Sequence, residues 1–352
     1  MKSKRTDMDE IARRVGVSRA TVSTALSGRG RVSEATRAMV LQCMNELNYV
    51  PNLHAQQLAT GRSWTVALHV NGLDFGIHRW GIEVTRGVQN ALQARGYRMI
   101  LDTTSDIARA DSLLVQSINS RAVDGVILVH GAMYDTEAIK RFAGSRMPFV
   151  LVGTDPIIAP NVGSIMYSSE TGIRQLVQEL RKLGHRRIGY IGWRPDSIVL
   201  SRFREILEEN GFTLPEEYIA LTELMADSPE RGASAMRQLL ALPSPPSAVL
   251  ARFESLALGA MQEAARHGLT VPDDISIVAH DDVYLARFTD PPLTTVRIDS
   301  FQLGISVTDL LFRLLEDPDE SVPVQIVDCG SLVMRQSLGP FKPFTLSRPS
   351  TS

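Results

Sequence analysis

Apolar positions along the chain change their period once, near residue 63. Before it every periodic segment is helical. Asp7, with Glu10 three positions on, is an Asp-led capping box opening a helix through Ile11, Ala12 and Val15, and Gly16 ends it. Ser18 caps a second helix from Arg19 to about Leu26. Ser33 caps a third, in which Ala35, Met39, Val40, Cys43, Met44 and Leu47 recur at helical spacing. Tyr49-Val50-Pro51 interrupts the chain before a short segment over 52–59. From Trp64 onward short apolar runs alternate with amphipathic stretches. The runs predict strands at 65–70, 98–102, 126–130, 149–152, 163–167, 187–191, 247–251 and 276–280. The stretches predict helices at 79–95, 111–121, 170–183, 203–210, 229–242 and 255–267. Such alternation means parallel sheets with helices on both faces, and its length suits two lobes whose ligand crevice lies beyond the carboxyl ends of the strands.

The first two helices meet the requirements of a helix-turn-helix. Ala12 allows close approach, Gly16 permits the turn, and Val22 plugs the core beneath the second helix, with Ile11, Val15, Val17 and Leu26 completing a small hydrophobic centre. Ser18 caps that helix and leaves its free amides facing a phosphate, while Arg19, Ala20, Ser23 and Thr24 point outward. Arg19 can fork onto guanine, and Ala20 can touch a thymine methyl.

Charge sharpens this picture. The whole chain of 352 residues carries −2, but residues 1–62 hold ten Lys and Arg against five acids, a head of +5 beside a remainder of −7. A basic head on an acidic body points to a polyanion partner. At 44% hydrophobic and 22% charged the composition is that of an ordinary globular protein. No apolar run approaches the ~18 residues of a membrane span, and Met1-Lys2-Ser3-Lys4-Arg5 leads into polar residues, so a cytoplasmic protein without a membrane partner is expected. Cys43 and Cys329 have no CxxC partner and are expected to be inert.

Beyond the hairpin the matches multiply. Residues 16–23 read Gly-Val-Ser-Arg-Ala-Thr-Val-Ser, 31–37 read Arg-Val-Ser-Glu-Ala-Thr-Arg, and 47–52 read Leu-Asn-Tyr-Val-Pro-Asn, with Ala55 and Leu58 following. Together they closely resemble the DNA-binding head and hinge of the lactose-repressor/galactose-repressor family of bacterial transcription regulators. Leu183-Gly184-His185-Arg186-Arg187-Ile188, Val271 to Val278, Asp281-Asp282 and Pro291 to Val296 extend the resemblance over roughly residues 6–340.

The resemblance implies a helix-turn-helix domain over 1–50 and a hinge over 51–62. It implies a periplasmic-binding-protein-like core, with lobes over 63–163 with 293–324 and over 164–292 with 325–340. The three crossings between lobes then fall near 163, 291–293 and 324, and a tail over 341–352 is expected to be disordered. Contacts to an operator are implied for Ser18, Arg19, Ala20, Thr21, Ser23, Thr24 and Arg31, and for Asn52, Ala55 and Leu58 of the hinge. The hinge would fold on DNA and wedge paired Leu58 side chains between base pairs from the minor groove. Thr24 stands where the family often has a base-contacting Arg, so the half-site should differ there.

For the effector the departures are larger. Gly153, Val199 and Phe253-Glu254 stand where the family commonly places an Asp, an Arg and an Asn-Asp pair on a sugar. A slip of three residues would restore Arg202 as the clamp. The candidate cleft residues are Arg79, Trp80, Trp193, Arg202, Phe253, Glu254 and Asp281, with Arg194 nearby. A sugar or sugar derivative, a less polar or differently charged metabolite, and a cleft without small-molecule sensing all remain open.

The seven histidines show no paired ligand spacing and there is no GxSxG elbow, so neither an enzyme nor a metal or other cofactor is expected. Asp281-Asp282 would point in different directions from a strand end, and the stripe Leu303, Val307, Leu310, Leu311, Leu314 reads as lobe core. The expectation is a homodimeric repressor, joined through the 79–95 helix and first-lobe strands and gated by an effector between lobes. Its rival is a solute-binding protein or sugar-processing enzyme with an incidental helical head.

Overall fold

The computed structural model describes residues 8–27, 31–47, 49, 57, 61–70, 79–103, 112–129, 147–153, 161–193, 198–222, 228–282, 284–317 and 324–342. They form two compact units, Met1–Thr65 with Ser117–Asp124, and Val66–Gln116 with Gly125–Ser352.

The first unit contains α1 (Met8–Val15), α2 (Arg19–Ser27) and α3 (Glu34–Glu46). Ile11, Ala12, Val22, Ala25, Val40, Cys43 and Met44 are buried together, with Val15, Val17, Val32, Leu47 and Tyr49 packed around them. Three short helices thus share one small core, which a helix of two or three turns needs because it is marginal alone in water. Gly16 turns the chain at φ +74°, where a side chain would be strained, and the Val17 amide donates to the Ala12 carbonyl at 3.0 Å. Ser33 caps α3, its Oγ accepting from the Thr36 amide at 3.1 Å. The linker is fastened within the same unit. The Asp124 carboxylate accepts from the Ser63 and Trp64 amides at 2.7 and 2.9 Å, and Gln57 Nε2 donates to the Arg121 carbonyl at 3.3 Å.

The second unit, apart from Thr65 and the end of α5, which fall in the first, runs β1 (Thr65–Val70), α4 (Arg79–Ala94), β2 (Arg98–Asp102), α5 (Leu113–Asn119), β3 (Gly125–Val129), β4 (Phe149–Gly153) and β5 (Val162–Ser168). It continues with α6 (Glu170–Lys182), β6 (Ile188–Gly192), α7 (Ile198–Glu209), β7 (Ile219–Leu221), α8 (Pro229–Leu240), β8 (Ala248–Ala251), α9 (Glu254–Arg266) and β9 (Ser276–His280). It ends with β10 (Thr294–Ile298), α10 (Ser300–Glu316), β11 (Gln325–Asp328) and β12 (Gly330–Val333). One sheet has the order β11-β5-β4-β3-β1-β2, the other β12-β10-β9-β8-β6-β7. The pairings β1–β3, β3–β4, β4–β5 and β5–β11 are parallel, and in the second sheet β12 alone of the paired strands runs antiparallel, on β10. Central strands such as β1, β3, β6 and β9 are buried at every position, as sheets covered on both faces require. Leu303, Val307, Leu310, Leu311 and Leu314 of α10 are buried and pack on the first sheet, so the stripe is core. Gly87 of α4 and Gly304 of α10 let these helices touch. A Cβ at Gly304 would lie 2.3 Å from the Val84 carbonyl oxygen.

Three chain crossings join the lobes, and each comes one strand later than the sequence predicts. The strands β5, β10 and β11, which begin at Val162, Thr294 and Gln325, are completed within their sheets before the chain changes lobe at Ser169, Asp299 and Cys329. A strand hydrogen-bonded to a neighbour cannot leave its sheet midway without orphaning ladder groups. The crossings lie side by side, with the Cys329 amide donating to the Ser168 carbonyl at 3.0 Å and the Asp299 amide to the Cys329 carbonyl at 2.9 Å. Burial pushes the Cys329 thiol up to about 12, which leaves it protonated and unreactive.

The strands β7, β11 and β12 escape the apolar reading because they are short and half exposed at the sheet edges. Of the tail expected to be disordered over 341–352, the first two residues are held in place and the rest lie outside the described residues. The Phe341 amide donates to the Leu183 carbonyl at 2.8 Å, and Lys342 pairs with Asp273 at 2.6 Å. Among the described residues no helix is long and apolar enough to cross a membrane.

Candidate nucleic-acid interface and effector cleft

The head presents its second helix as the sequence leads one to expect. Ser18 Oγ accepts from the Thr21 amide at 3.0 Å and lies 2.8 Å from the Thr21 hydroxyl, which sets the helix start. With Val22 pinned beneath at 0% exposure, Ser18, Arg19 and Ala20 stand exposed and Thr21, Ser23 and Thr24 half exposed on the opposite side. Arg31 is exposed beyond the turn. Arg19 Nη1 lies 3.5 Å from Asp9 Oδ2, both side chains more than half exposed, a weak surface pair that leaves the guanidinium available. The Glu10 carboxylate is taken by Arg14 Nε at 3.1 Å and by Arg13, and these partners hold it below the usual carboxylate range. Asp7 of the expected capping box, the Leu26 side chain, and Asn52, Ala55 and Leu58 of the hinge lie outside the described residues.

In the core, the carboxyl ends of strands and the starts of helices surround a cavity of about 200 Å³. Its lining is Trp80, Glu83, Asp281, Asp282, Arg297, Ile298, Asp299, Ser300 and Phe301. Of the expected cleft residues, Trp80 and Asp281 are on this wall. Arg79 opens α4, its side chain outside the described residues. Trp80 leans on Tyr167, ring centroids 5.2 Å apart. Trp193 is half-buried at the end of β6, Phe253 is half-buried beside Arg252, and Glu254 is buried in the first turn of α9; none of the three lines the cavity.

Arg202 pairs with acidic side chains and does not line the cavity. Its Nε donates to Glu170 Oε2 at 2.9 Å and its Nη1 to Glu205 Oε2 at 2.5 Å. Val199 packs into the second-lobe core at 8% exposure, so the register of α7 turns Arg202 onto α6.

The residues missed from sequence surround Asp281. Arg252, at the end of β8, lies 3.5 Å from Asp281 Oδ2, stacks on Phe253 with 4.5 Å to the ring centroid, and donates from Nη1 to His280 Nδ1 at 2.9 Å. A guanidinium can only donate, so His280 Nδ1 accepts and its Nε2–H donates to Ser169 Oγ at 2.7 Å. His280 is therefore neutral, in keeping with the burial that lowers its pKa. Asp281 sits at φ +80°, a conformation Asp tolerates better than most residues. Asp282 turns the other way, to Arg297 Nε at 2.7 Å and Arg335 Nη2 at 2.6 Å; burial acts to raise its carboxyl, but these partners outweigh it and hold it low. The two adjacent aspartates thus have separate duties. Burial pushes the Tyr167 phenol up to about 12, so it is a neutral donor behind Trp80. A charge closing an apolar strand, as Arg252 closes 247–251, was the available sequence signal.

Comparison with known proteins places both parts. A family profile described as "Bacterial regulatory proteins, lacI family" matches residues 7–52, and one described as a periplasmic binding protein-like domain matches residues 177–338. The HTH-type transcriptional repressor CytR of Escherichia coli (strain K12) is 28% identical over 335 residues, 94% of this chain and 95% of its own length. Among solved structures, the transcriptional regulator CelR in complex with cellobiose is 28% identical with a TM-score of 0.66, over 95% of this chain and 100% of that one. The lac repressor dimer bound to operator and the anti-inducer ONPF is 26% identical with a TM-score of 0.72, over 95% and 99%. A helix-turn-helix head that matches by profile, a two-lobed core that matches by fold, and relatives aligned along nearly the whole length lead to one result: the head is that of the lacI family of bacterial regulatory proteins, and the chain is similar to repressors of that kind from end to end.

Proposed function

We propose that the chain is a transcription repressor that binds a palindromic operator as a homodimer and is gated by a small molecule held between its lobes. The observation that carries the reading is the α2 face. Its cap is made by Ser18, its core side is sealed by Val22, and Ser18, Arg19 and Ala20 are left exposed at its start. Arg19, Ala20, Ser23 and Thr24 would meet base edges in the major groove, Ser18, Thr21 and Arg31 would hold phosphates, and Asn52, Ala55 and Leu58 would enter the minor groove. A C2 dimer presents two such heads, which is why the site should be a palindrome. The acidic body repels DNA, so binding is confined to the +5 head and acts in the cytoplasm, where the chromosome is.

The partner face is expected on the core. Leu101 and Leu113 of the first lobe, 42% and 46% exposed, and Tyr284, Leu285 and Phe288 of the second are apolar surface suited to a second copy. The effector is a sugar or sugar derivative against Trp80 and Asp281, whose hinge closure changes the spacing of the heads.

An electrophoretic shift with fragments selected from random DNA tests the reading. Sequence-specific binding that weakens steeply with salt supports it. Only non-specific binding at every salt concentration would return the chain to the class of solute-binding proteins or sugar-processing enzymes.

A further inference from the structure

The cleft is rich in charge yet balanced. Glu83 is bridged by Arg86 Nη1 at 3.0 and 2.8 Å, and Asp282 by Arg297 and Arg335. Asp299 caps α10, accepting from the Gln302 amide at 3.0 Å. These groups already have partners. Asp281 and Arg252 remain, side chains 18% and 12% exposed and 3.5 Å apart, and their pairing is incomplete. Asp281 Oδ1 and Arg252 Nε are buried without a hydrogen-bond partner. One is an acceptor requiring a donor, the other a donor requiring an acceptor.

We infer that Arg252, which stands behind Asp281 rather than on the cavity wall, is a specificity-determining and positioning residue of the effector cleft, and that its pairing with Asp281 restricts the effector to uncharged ligands. The inference rests on the cleft being the effector site. Arg252 holds Asp281 in place through the ion pair, is itself anchored on His280, and cancels the carboxylate charge at the cavity wall. A neutral ligand can meet the Asp281 carboxylate at the wall without adding a buried charge. A cation at the wall would find the Asp281 charge already cancelled by Arg252 behind it, and a carboxylate or phosphate would face Asp281 itself, so either would bring an uncompensated buried charge.

The test is a thermal-shift titration of the full-length dimer with ribose, cellobiose and uridine as neutral probes, glucosamine as cation, and glucuronate and ribose 5-phosphate as anions. Stabilisation of the wild type by neutral probes alone is expected, and a larger shift with a charged probe overturns the inference while leaving the effector cleft intact. In Arg252→Met the neutral response should weaken more than about tenfold and a glucosamine response should appear, because Asp281 is then unbalanced. Asp281→Asn, nearly isosteric and tolerant of the same backbone, should gain a response to glucuronate; it carries the test if Arg252→Met does not fold. Arg252→Lys, which keeps the charge, should keep the neutral preference. An unchanged order of ligands in both charge-removing variants would refute the role of Arg252. No response of the wild type to any probe, with operator binding intact, would overturn the effector-cleft reading itself.

Discussion

Acidification should destabilise this protein well before its carboxylates titrate, because three histidines are buried neutral. His69, His185 and His280 are 0%, 2% and 0% exposed, and desolvation lowers the pKa of each. For His69 burial outweighs its hydrogen bond to Asp102, and for His185 it outweighs that to the Gly339 carbonyl; for His280 the Arg252 charge adds to it. In the unfolded chain the same rings take up protons near pH 6.5. Between the folded values and pH 6.5 the unfolded state therefore binds more protons, so stability is full above that window and is lost as the pH falls through it. Each proton taken up only on unfolding is worth about 1.4 kcal/mol per pH unit. Lowering the pH from 7.0 to 5.5 should then cost at most about 1.3 kcal/mol per ring, or roughly 4 kcal/mol for three. Urea unfolding followed by tryptophan fluorescence and far-ultraviolet dichroism measures this. The second lobe holds two of the rings and the first lobe one, so if the lobes unfold separately the second should lose about twice as much. His185→Gln should remove one ring's share of the slope. A free energy constant within about 1 kcal/mol between pH 7.0 and 5.5 would refute the reasoning.

Three further outcomes follow from the head and the core. Arg19→Ala should relax preference at one base pair of each half-site by about 1–3 kcal/mol, read by binding-site selection, and an unchanged preference would contradict the placement of α2 in the groove. Ile11→Ala should cost about 2–5 kcal/mol in so small a core, abolishing operator binding while the two-lobed unit keeps its melting transition. Gly304→Ala should force α10 away from α4, since its Cβ would lie 2.3 Å from the Val84 carbonyl oxygen. A loss of roughly 1–3 kcal/mol or more is expected by denaturant titration, and an unaltered midpoint would mean that the helices do not cross so closely.

What was legible in the sequence was whatever depends on local pattern. The caps at Ser18 and Ser33, the turn at Gly16, the Ala12–Val22 contact and the central strands follow from short-range hydrogen bonding and from the period of burial, so spacing alone located them. The basic head also needed only counting. Edge strands such as β11 and β12 were not legible, because half-exposed backbone pairing leaves no apolar signature.

The site was decided by tertiary structure. Whether the chain leaves a sheet before or after β5, β10 and β11 depends on pairing partners far away in sequence. Whether Val199 or Arg202 faces outward from α7 was open in the sequence, and the burial of Val199 set the register that lays Arg202 on Glu170. Arg252 looked like the end of an unremarked strand until the adjacent strand end brought Asp281 and His280 against it. Sequence determines which side chains can be charged, buried or capped; only the packing of distant segments determines which charges meet, as Arg252 and Asp281 do at the ends of neighbouring strands.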